Sequence, residues 1–155
     1  EFRLLSVTGL MDDALALTTP GREEKQISVE TRLEPAMLSG ERDLLISLFV
    51  NILDNARKAL PKCGQIWIKG RKYKSSYLVC IADNGCGIRP EDITRITEAF
   101  YMADKSRSRK EGGAGLGMTL CSRIVKLHHA HWKIFSKSGV GTVIAIRFPY
   151  EEESL

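Results

Sequence analysis

The sequence lacks long apolar segments, is poor in aromatic residues and has no closely spaced pair of cysteines. No uncharged apolar run approaches the ~20 residues that a membrane-spanning helix needs, and the first residues do not resemble a signal peptide. Aromatic residues make up 7% of the chain, and they do not interleave with basic residues as they do in RNA-binding modules. The four cysteines form no C-x-x-C pair, which argues against a zinc site and favours free thiols in a reducing compartment.

What remains has the balance of one globular domain. The 155 residues are 43% apolar and 27% charged, which is enough for one core and too little for two ordinary domains. The net charge is +4, with basic clusters at 69–74 and 105–110. Such clusters fit a nucleic acid, a phosphate ligand or a solvated face. Because the sequence has no initiator methionine, we expect it to be a fragment of a longer protein.

Three histidines, His128, His129 and His131, crowd the end of a predicted helix. No carboxylate or cysteine lies near them in the sequence to complete a metal site. We therefore interpret them as helix-end or surface residues. Cys80 and Cys121 lie in apolar runs and are interpreted as small core residues.

Hydrophobic periodicity predicts helices that are interspersed with paired strands. Helices are expected at 4–17, 41–60, 91–101 and 117–128, with Thr18-Thr19-Pro20-Gly21 as the stop of the first helix. Strands are expected at 26–33, 36–38, 65–71, 77–82, 132–136 and 142–148, and the last four form two hairpins. Loops are expected at 83–90 and 102–115. The last helix is predicted to face inward with Leu120, Ile124 and Leu127. Because neighbouring strands pair as hairpins, this order predicts a mixed, largely antiparallel sheet with its helices on one face.

The helix at 41–60 carries polar residues beside its apolar stripe. Asn51, Asn55 and Lys58 are spaced by four and three residues, so they share one helical face. Asparagine oxygens suit a hard cation such as Mg²⁺, which takes few protein ligands, and Lys58 can neutralise phosphate. Taken alone, a solvated face with ordinary asparagines is the simpler interpretation.

Glycine-rich turns accompany this helix. Asp83 ends an apolar strand and is followed by Gly85 and Gly87. A carboxylate at that position can accept a hydrogen bond from an exocyclic amine, and glycine lets the backbone approach a flat ligand. The run at 112–117 leads into a helix, where backbone N–H groups bind anions, but Met118 stands where a Walker motif has lysine. Each feature alone is equally typical of an ordinary turn or surface loop.

In combination and in this order, these motifs resemble the boxes of the GHKL ATPase and kinase superfamily, and the resemblance to sensor histidine kinases is close. Residues 51–58 resemble the N box, 83–88 the G1 box, 98–107 the F box and 113–117 the G2 box. The turn at 139–142 resembles the turn that closes the family's site. The resemblance extends from about residue 27 to residue 149, and it implies the α/β sandwich of the Bergerat type.

The resemblance implies ATP and Mg²⁺ as cofactors. Asn51, Asn55 and Lys58 form the implied catalytic set, in which Asn51 and Asn55 hold Mg²⁺. Asp83 would bind the adenine amino group, and residues 102–112 would form an ATP lid that is mobile without nucleotide. The implied nucleotide-binding residues are Asp83, Gly85, Gly87, Ile88, Phe100, Tyr101, Lys105, Arg107, Arg109, Gly113, Gly115, Leu116, Gly117 and Thr142.

Three motifs depart from the family's pattern. Thr97 replaces the first aromatic residue of the F box, Ala114 replaces a common hydroxyl residue, and His128-His129-Ala130 stands in place of His-Gly-Gly. These departures bear on the lid more than on nucleotide binding.

Asn51 lies where the ATPase branch of the superfamily carries the glutamate that activates water, so the resemblance favours a kinase. The implied function is delivery of the ATP γ-phosphate to a histidine on a separate dimerisation domain. The alternatives are a non-catalytic adenine-nucleotide-binding module and a GHKL ATPase.

The implied partners are the histidine-bearing dimerisation domain of the same protein and, indirectly, a response regulator; no nucleic acid is expected. We predict a monomeric fragment, a homodimeric full protein, and a cytoplasmic location for this domain within a membrane-bound sensor. Along the chain, 1–20 is interpreted as the end of a linker with the first helix, 21–150 as the ATP-binding domain and 151–155 as a tail.

Overall fold

The computed structural model describes residues 1–90 and 114–152, and for 114–117 it describes the backbone. The elements follow one another as β1 (Arg3–Ser6), α1 (Val7–Lys25), β2 (Ser28–Leu33), β3 (Met37–Gly40), α2 (Arg42–Ala59), β4 (Gln65–Lys72), β5 (Ser76–Asp83), α3 (Ala114–Leu127), β6 (His131–Lys137) and β7 (Gly141–Pro149). Within the described residues, no helix has the length and apolar character needed to cross a bilayer. The predicted helix at 91–101 and most of the predicted loop at 102–115 lie outside the described residues.

Five strands form one sheet in the order β2-β4-β5-β7-β6. β2 runs parallel to β4, and every other pair of neighbours is antiparallel. The two predicted hairpins, β4 with β5 and β6 with β7, are confirmed. β1 and β3 pair separately as a small antiparallel sheet. The expected mixed, largely antiparallel sheet is therefore confirmed.

The helices cover one face of the five-stranded sheet, and the alternation of strand residues decides which side chains meet them. On β5, Tyr77 and Val79 are fully buried, whereas Leu78 between them points to the other face and is partly exposed. Phe49 of α2 meets Phe148 of β7 edge to face, with ring centroids 6.3 Å apart. The buried residues of helices and strands form one cluster, so the prediction of one core below a single helical layer is confirmed.

The first helix is longer than the sequence indicated. The predicted stop at Thr18-Thr19-Pro20-Gly21 is wrong, because α1 passes through these residues and ends at Lys25. Pro20 removes the backbone donor that would reach the Ala16 carbonyl four residues earlier, and side chains hold the neighbouring carbonyl of the same turn. The carbonyl of Leu15 accepts hydrogen bonds from the Thr19 hydroxyl and the Arg22 guanidinium, both at 2.8 Å. Tertiary contacts also favour continuation, because Lys25 in the last turn of α1 donates to the carbonyl oxygens of Arg57 and Leu60 at the end of α2. Burial lowers the pKa of Arg22, and its hydrogen bonds within α1 offset the cost of that burial.

The N-terminal part of α1 contributes to the core. Val7 and Met11 are fully buried, and the Ser6 hydroxyl caps the helix by accepting a hydrogen bond from the Gly9 N–H at 3.2 Å. The helix runs across residue 20, where the interpretation of the sequence began the ATP-binding domain. The division into linker, domain and tail remains a prediction.

The last helix, α3, begins earlier than expected and faces the core with different residues. It starts at Ala114, whereas the sequence indicated Gly117. The inward assignment of Leu120 and Leu127 is wrong, since they are 41% and 52% exposed. The Cys121 thiol lies 3.8 Å from the carbonyl oxygen of Leu48 on α2, so this small residue permits a close approach of the two helices. The predictions that Cys121 is a small core residue and that Ile124 faces inward are confirmed. The same core prediction for Cys80 is wrong, because Cys80 is only partly buried and lies on the other face of β5. Among the α3 residues whose side chains are described, the buried ones are Met118, Thr119, Cys121, Ile124 and Val125.

The His128 side chain links the end of α3 to the start of α2 through hydrogen bonds. Its Nδ1 donates to the carbonyl oxygen of Ile124 at 2.8 Å, and its Nε2 accepts a hydrogen bond from the Glu41 N–H at 3.1 Å. The ring of Phe2 stacks on the imidazole with centroids 4.8 Å apart. The interpretation of this histidine as a helix-end residue is confirmed.

Tyr77 links β5 to the chain that follows β2. Its hydroxyl donates a hydrogen bond to the carbonyl oxygen of Glu34 at 2.6 Å. The ring crosses Gly70 of β4, where any Cβ atom would collide with the hydroxyl oxygen. Burial raises the pKa of Tyr77 to about 12, with a further contribution from the negative charge of Glu34.

We expect Tyr77→Phe to lower the free energy of unfolding at neutral pH by about 1 kcal/mol, because the partly buried carbonyl of Glu34 loses its donor. The native state favours the neutral phenol, whose pKa is raised from 10.0 to about 12. The stabilisation is therefore complete below pH 10 and is lost as the pH rises through about 12. Urea unfolding at increasing alkaline pH should show a shallower loss of stability in the variant.

Tyr73→Phe is the matched control, because this tyrosine lies between β4 and β5 with 44% of its surface exposed. It should leave both the neutral and the alkaline stability close to those of the wild type. A Tyr77→Phe protein with the wild-type alkaline profile would contradict the assignment.

Candidate functional site

Asp83 ends β5 on the side of the sheet that the helices cover. Its neighbour across the sheet is Thr142 at the start of β7. The half-buried carboxyl group accepts a hydrogen bond from the Gly85 N–H at 2.8 Å. Burial raises the pKa of Asp83, while backbone hydrogen bonds from Gly85 and Thr142 lower it. The structure thus holds a hydrogen-bond acceptor in a fixed orientation at a partly desolvated position.

The turn at 84–88 is clamped between a helix and a hairpin. The Cys86 N–H donates to the carbonyl oxygen of Ala59, the last residue of α2, at 3.1 Å. The Cys86 carbonyl oxygen accepts a hydrogen bond from the Gly139 N–H, in the β6–β7 turn, at 2.7 Å. These two bonds bring together three of the motifs found in the sequence, namely the N-box helix, the G1 turn and the closing turn.

The glycines of these turns are required by the packing of one backbone on another. Gly87 has φ +75°, and a Cβ atom there would collide with the carbonyl oxygen of Lys137. Gly141 has φ +153°, and a Cβ atom there would collide with the carbonyl oxygen of Asp83. At Gly85, a Cβ atom would lie 2.7 Å from the last carbonyl oxygen of α2. The sequence analysis explained these glycines by the close approach of a ligand to the backbone. The structure adds a second reason, because neighbouring backbone segments of the protein leave no space for a side chain.

Ser136 joins the site and was missed in the sequence. Its hydroxyl accepts a hydrogen bond from the Ile88 N–H at 2.6 Å and lies 2.8 Å from the Thr142 hydroxyl. It also donates to the Gly141 carbonyl oxygen at 3.1 Å. The available signal was its position, because a serine two residues after the buried Ile134 points inward on an alternating strand.

The two asparagines of α2 are oriented by different partners. The Asn51 amide nitrogen donates to the Ser47 carbonyl oxygen at 2.7 Å, one turn earlier on α2. The Asn55 amide nitrogen lies 3.0 Å from the sulfur of Met118 on α3. With the nitrogens used as donors, the carboxamide oxygen is the end of each side chain that suits a cation. Met118 was not among the predicted site residues, and helix periodicity alone does not reveal this contact between helices.

The C-terminal end of α2 is held by a lysine from α1. Lys25 donates to the carbonyl oxygens of Arg57 and Leu60 at 2.9 and 3.0 Å. A positive charge at this end of a helix is favourable because the helix dipole is negative there. Lys58 lies in the same last turn with its side chain exposed. The lysine cap and the bond to the G1 turn together fix where the N-box helix ends.

The remaining predicted site residues divide into two groups. Gly115, Leu116 and Gly117 lie on the helical backbone at the start of α3. The others lie outside the described residues, and they are Phe100, Tyr101, Lys105, Arg107, Arg109 and Gly113. Within 1–90 and 114–152, no three histidine, cysteine, aspartate or glutamate side chains cluster as metal ligands.

These contacts join a fixed carboxylate, two amide-bearing residues and the start of a helix on one side of the sheet. The carboxylate can accept a hydrogen bond from a heterocyclic amine. Amide oxygens can ligate a hard cation, and helix N-termini favour anions. The combination suits a ligand that has an aromatic base at one end and metal-bound phosphates at the other.

Comparisons with known proteins show which family the chain belongs to. The family model described as "Histidine kinase-, DNA gyrase B-, and HSP90-like ATPase" matches residues 40–152. The chain is 27% identical to the sensor-like histidine kinase SenX3 of Mycobacterium tuberculosis over 146 residues, which cover 94% of this chain and 36% of SenX3. The chain thus corresponds to about a third of that relative's length.

Solved structures share the fold. The mycobacterial sensor histidine kinase MprB superposes with a TM-score of 0.82 at 23% identity, covering 99% of this chain and 100% of MprB. Full-length ShkA, solved in complex with AMPPNP, superposes with a TM-score of 0.81 at 22% identity, covering 100% of this chain and 32% of ShkA. The chain therefore belongs to the family of histidine kinase-, DNA gyrase B- and HSP90-like ATPases, as an ATP-binding domain of the histidine kinase type.

Proposed function

We propose that this domain binds ATP with Mg²⁺ and delivers the γ-phosphate to a histidine on a separate dimerisation domain of the same protein. The observation that carries the proposal is the half-buried carboxylate of Asp83, which is held by backbone N–H groups. It is tied through Cys86 to the helix that carries Asn51 and Asn55. ShkA, which shares the fold, was solved with an ATP analogue, and this supports ATP as the ligand here.

The base of the nucleotide would be recognised at the end of β5. An ionised Asp83 presents acceptors only, so it pairs with the exocyclic amino group of adenine. Guanine has a carbonyl oxygen at the equivalent edge, and two acceptors would then face each other. Ser136 and Thr142 would support this recognition by holding the backbone at Ile88 and Gly141.

The phosphates would lie between α2 and the start of α3. Asn51 and Asn55 would hold Mg²⁺ through their carboxamide oxygens, which matches the preference of this cation for a few oxygen ligands. When bound, Mg²⁺ would neutralise phosphate charge. Lys58 and the backbone at 115–117 are suited to contact phosphate oxygens directly. Lys105, Arg107 and Arg109 remain predicted phosphate contacts from the lid.

A kinase fits the N box better than an ATPase does. An asparagine amide cannot take a proton from water, and the Asn51 side chain already donates to Ser47. Hydrolysis should therefore be slow, which keeps the γ-phosphate for another nucleophile. The acceptor would be a histidine of the dimerisation domain, and a response regulator would receive the phosphoryl group afterwards. We place this domain in the cytoplasm, as part of a membrane-bound homodimeric sensor.

Phosphotransfer separates this proposal from its alternatives. The chain should bind ATP, hydrolyse it at a barely measurable steady-state rate, and label a histidine-bearing helical dimerisation domain supplied in trans. The label should be lost in acid, because phosphohistidine is acid-labile. Brisk hydrolysis by the isolated chain would favour an ATPase, and binding without transfer to any acceptor would favour a regulatory nucleotide-binding module.

Asp83→Asn should weaken ATP binding by about 1–3 kcal/mol, or roughly 5-fold to 150-fold in Kd, because an amide N–H then opposes the adenine amino group. The amide oxygen can still accept from the Gly85 N–H, so the turn is retained. Binding needs the ionised carboxylate, so affinity is present above the raised pKa of Asp83 and falls as the pH drops through it. The difference between the two proteins, measured by calorimetry, should shrink at acidic pH.

Asp13→Asn is the matched control for this experiment. Asp13 is an exposed carboxylate that pairs with Arg42 at 2.7 Å on the surface of α1 and α2. The control should bind ATP like the wild type. Wild-type affinity in Asp83→Asn, or an equal preference of the wild type for GTP, would contradict the assignment of the adenine site.

Asn55→Ala should reduce ATP affinity about tenfold or more in the presence of Mg²⁺ and much less in EDTA, since the variant loses a metal-ligand oxygen. The measurement in EDTA controls for general damage to the fold, because such damage would lower ATP affinity equally with and without Mg²⁺. Asp43→Ala is the matched control, because this exposed residue lies in the first turn of the same helix, away from both asparagines, and the variant should bind ATP like the wild type with and without the metal. Equal losses of affinity with and without the metal would show that Asn55 is not a ligand.

A further inference from the structure

The face of the five-stranded sheet that points away from the helices has an unusual arrangement of side chains. In the described part of the chain, all three helices pack on the opposite face. At the centre of the face that points away from the helices, the residues of β5 and β7 are small. Ala82 lies beside Val143, and Cys80 lies beside Ala145, in the antiparallel register of the two strands. All four are partly buried, so the middle of this outer face is a low, mostly apolar floor.

Larger residues rise on both sides of this floor. On β4, Trp67 lies beside Ala82, and Lys69 lies beside Cys80. On β6, the outward residues Phe135 and Lys133 occupy the equivalent positions beside β7. Phe135 is 57% exposed. We call this feature the outer groove; its floor is β5 and β7, and its walls are the side chains of β4 and β6.

The dimensions of the outer groove match those of a helix. β4 and β6 are separated by three strand spacings, or about 14 Å at roughly 4.8 Å each. An α-helix with its side chains is about 10–12 Å across. The small floor residues would let such a helix approach the sheet closely, while Trp67 and Phe135 would flank it.

The walls are positively charged. Lys69 and Lys133 are exposed, and in the described residues no carboxylate forms an ion pair with either of them. Arg147, at one end of the floor, lies over the ring of Tyr73 at 5.5 Å and donates to the Ser76 hydroxyl. The groove therefore offers an apolar floor between cationic sides.

In the described strands of this sheet, the acidic residue on this face is Glu30 of the edge strand β2, and Glu34 directly follows β2; both already have basic partners. Glu30 pairs with Arg32 at 3.2 Å, and Glu34 lies 4.0 Å from Arg71. They therefore do little to offset the charge of the two lysine walls. The uncompensated charge is complementary to a partner that is acidic on both flanks.

We propose that the outer groove binds an acidic amphipathic helix of a partner protein, with the helix's apolar stripe on the floor and its Asp and Glu flanks against Lys69 and Lys133. Recognition of this kind combines an apolar groove with complementary charge at its rim. The proposed site lies on the opposite face from the nucleotide site, so it goes beyond the proposed function and does not depend on it.

Other occupants fit the geometry less well. A second copy of this chain would bring like charges together. A flat anionic bilayer would touch the walls and leave the floor uncovered. A single-stranded nucleic acid stacks successive bases on neighbouring aromatic rings, whereas Trp67 and Phe135 are separated by the width of the groove.

A designed peptide tests the inference directly. The probe is an 18-residue helical peptide with a leucine and alanine stripe flanked on both sides by glutamate; the control peptide carries lysine in place of every glutamate. The acidic peptide should bind one-to-one and saturably, with NMR amide shifts concentrated on β5 and β7. The lysine peptide should not bind. Equal binding of the two peptides, or shifts confined to other surfaces, would overturn the proposal.

Charge variants locate the binding surface. Lys69→Glu with Lys133→Glu should weaken the acidic peptide about tenfold or more, whereas Lys62→Glu with Lys126→Glu, the same change of net charge on other exposed surfaces, should stay within about twofold. ATP affinity should be unchanged in both, since all four lysines lie outside the nucleotide site. Similar losses in the two double variants would mean that only net charge matters, and this would refute the groove.

A variant that fills the floor of the groove tests whether the occupant is a helix or another anionic partner, such as a membrane or a nucleic acid. Ala145→Arg adds positive charge but fills the floor, so it should weaken the acidic peptide about tenfold and leave ATP binding intact. Tighter peptide binding by this variant would refute the groove. Two further probes are tested in parallel: vesicles that contain phosphatidylserine, and a single strand of oligo-dT. Saturable binding of either at lower concentration than the peptide, lost in the Lys69→Glu/Lys133→Glu protein, would replace the helix with that occupant.

Discussion

The site depends on the position of one short turn, which is held by the two backbone hydrogen bonds of Cys86. One bond reaches the last carbonyl of α2, and the other reaches the β6–β7 turn. Backbone on both sides leaves no room for Cβ atoms at Gly85 or Gly87. A larger residue at Gly85 would push the turn away from α2, and one at Gly87 would push it away from the β6–β7 hairpin. Because Asp83 immediately precedes this turn, its carboxylate would then lose its fixed relation to the asparagines of the helix.

The same constraint explains how a site spread along the sequence acts as one unit. Asp83 and Thr142 are adjacent because β5 and β7 are neighbours in the sheet. Asn55 reaches α3 through the sulfur of Met118, and Ser136 connects the G1 turn to the start of β7. Each link is a single hydrogen bond of modest net energy, about 1 kcal/mol. Their value lies in orientation, since a nucleotide that meets fixed partners loses less entropy on binding.

Much of the fold could be predicted because its strands alternate and its longest apolar stripe is helical. The hairpins, the helix at 42–59 and the one-sided sheet follow from these periods. The errors have physical causes. Pro20 is a strong local signal for a stop, but side-chain hydrogen bonds to Leu15 and the contacts of Lys25 with the end of α2 override it. On α3, the apolar period was assigned to Leu120 and Leu127 as well as Ile124, whereas close packing on α2 buries the small Cys121 and leaves both leucines at the surface.

The family, the order of the motifs and the residue types that suit a nucleotide and a cation could be predicted from the amino-acid sequence alone. Those features follow from local chemistry: an acid at the end of an apolar strand, amides on one helical face, and glycine where turns are tight. Three further features became visible in the folded structure: Ser136 and Met118 join the candidate site, glycine at 85 and 87 is needed by protein packing, and small residues form the floor of a basic groove on the outer face. These features depend on which strands and helices become neighbours in the fold. No single segment of the chain reveals them, because they arise from contacts between residues that are far apart in the sequence.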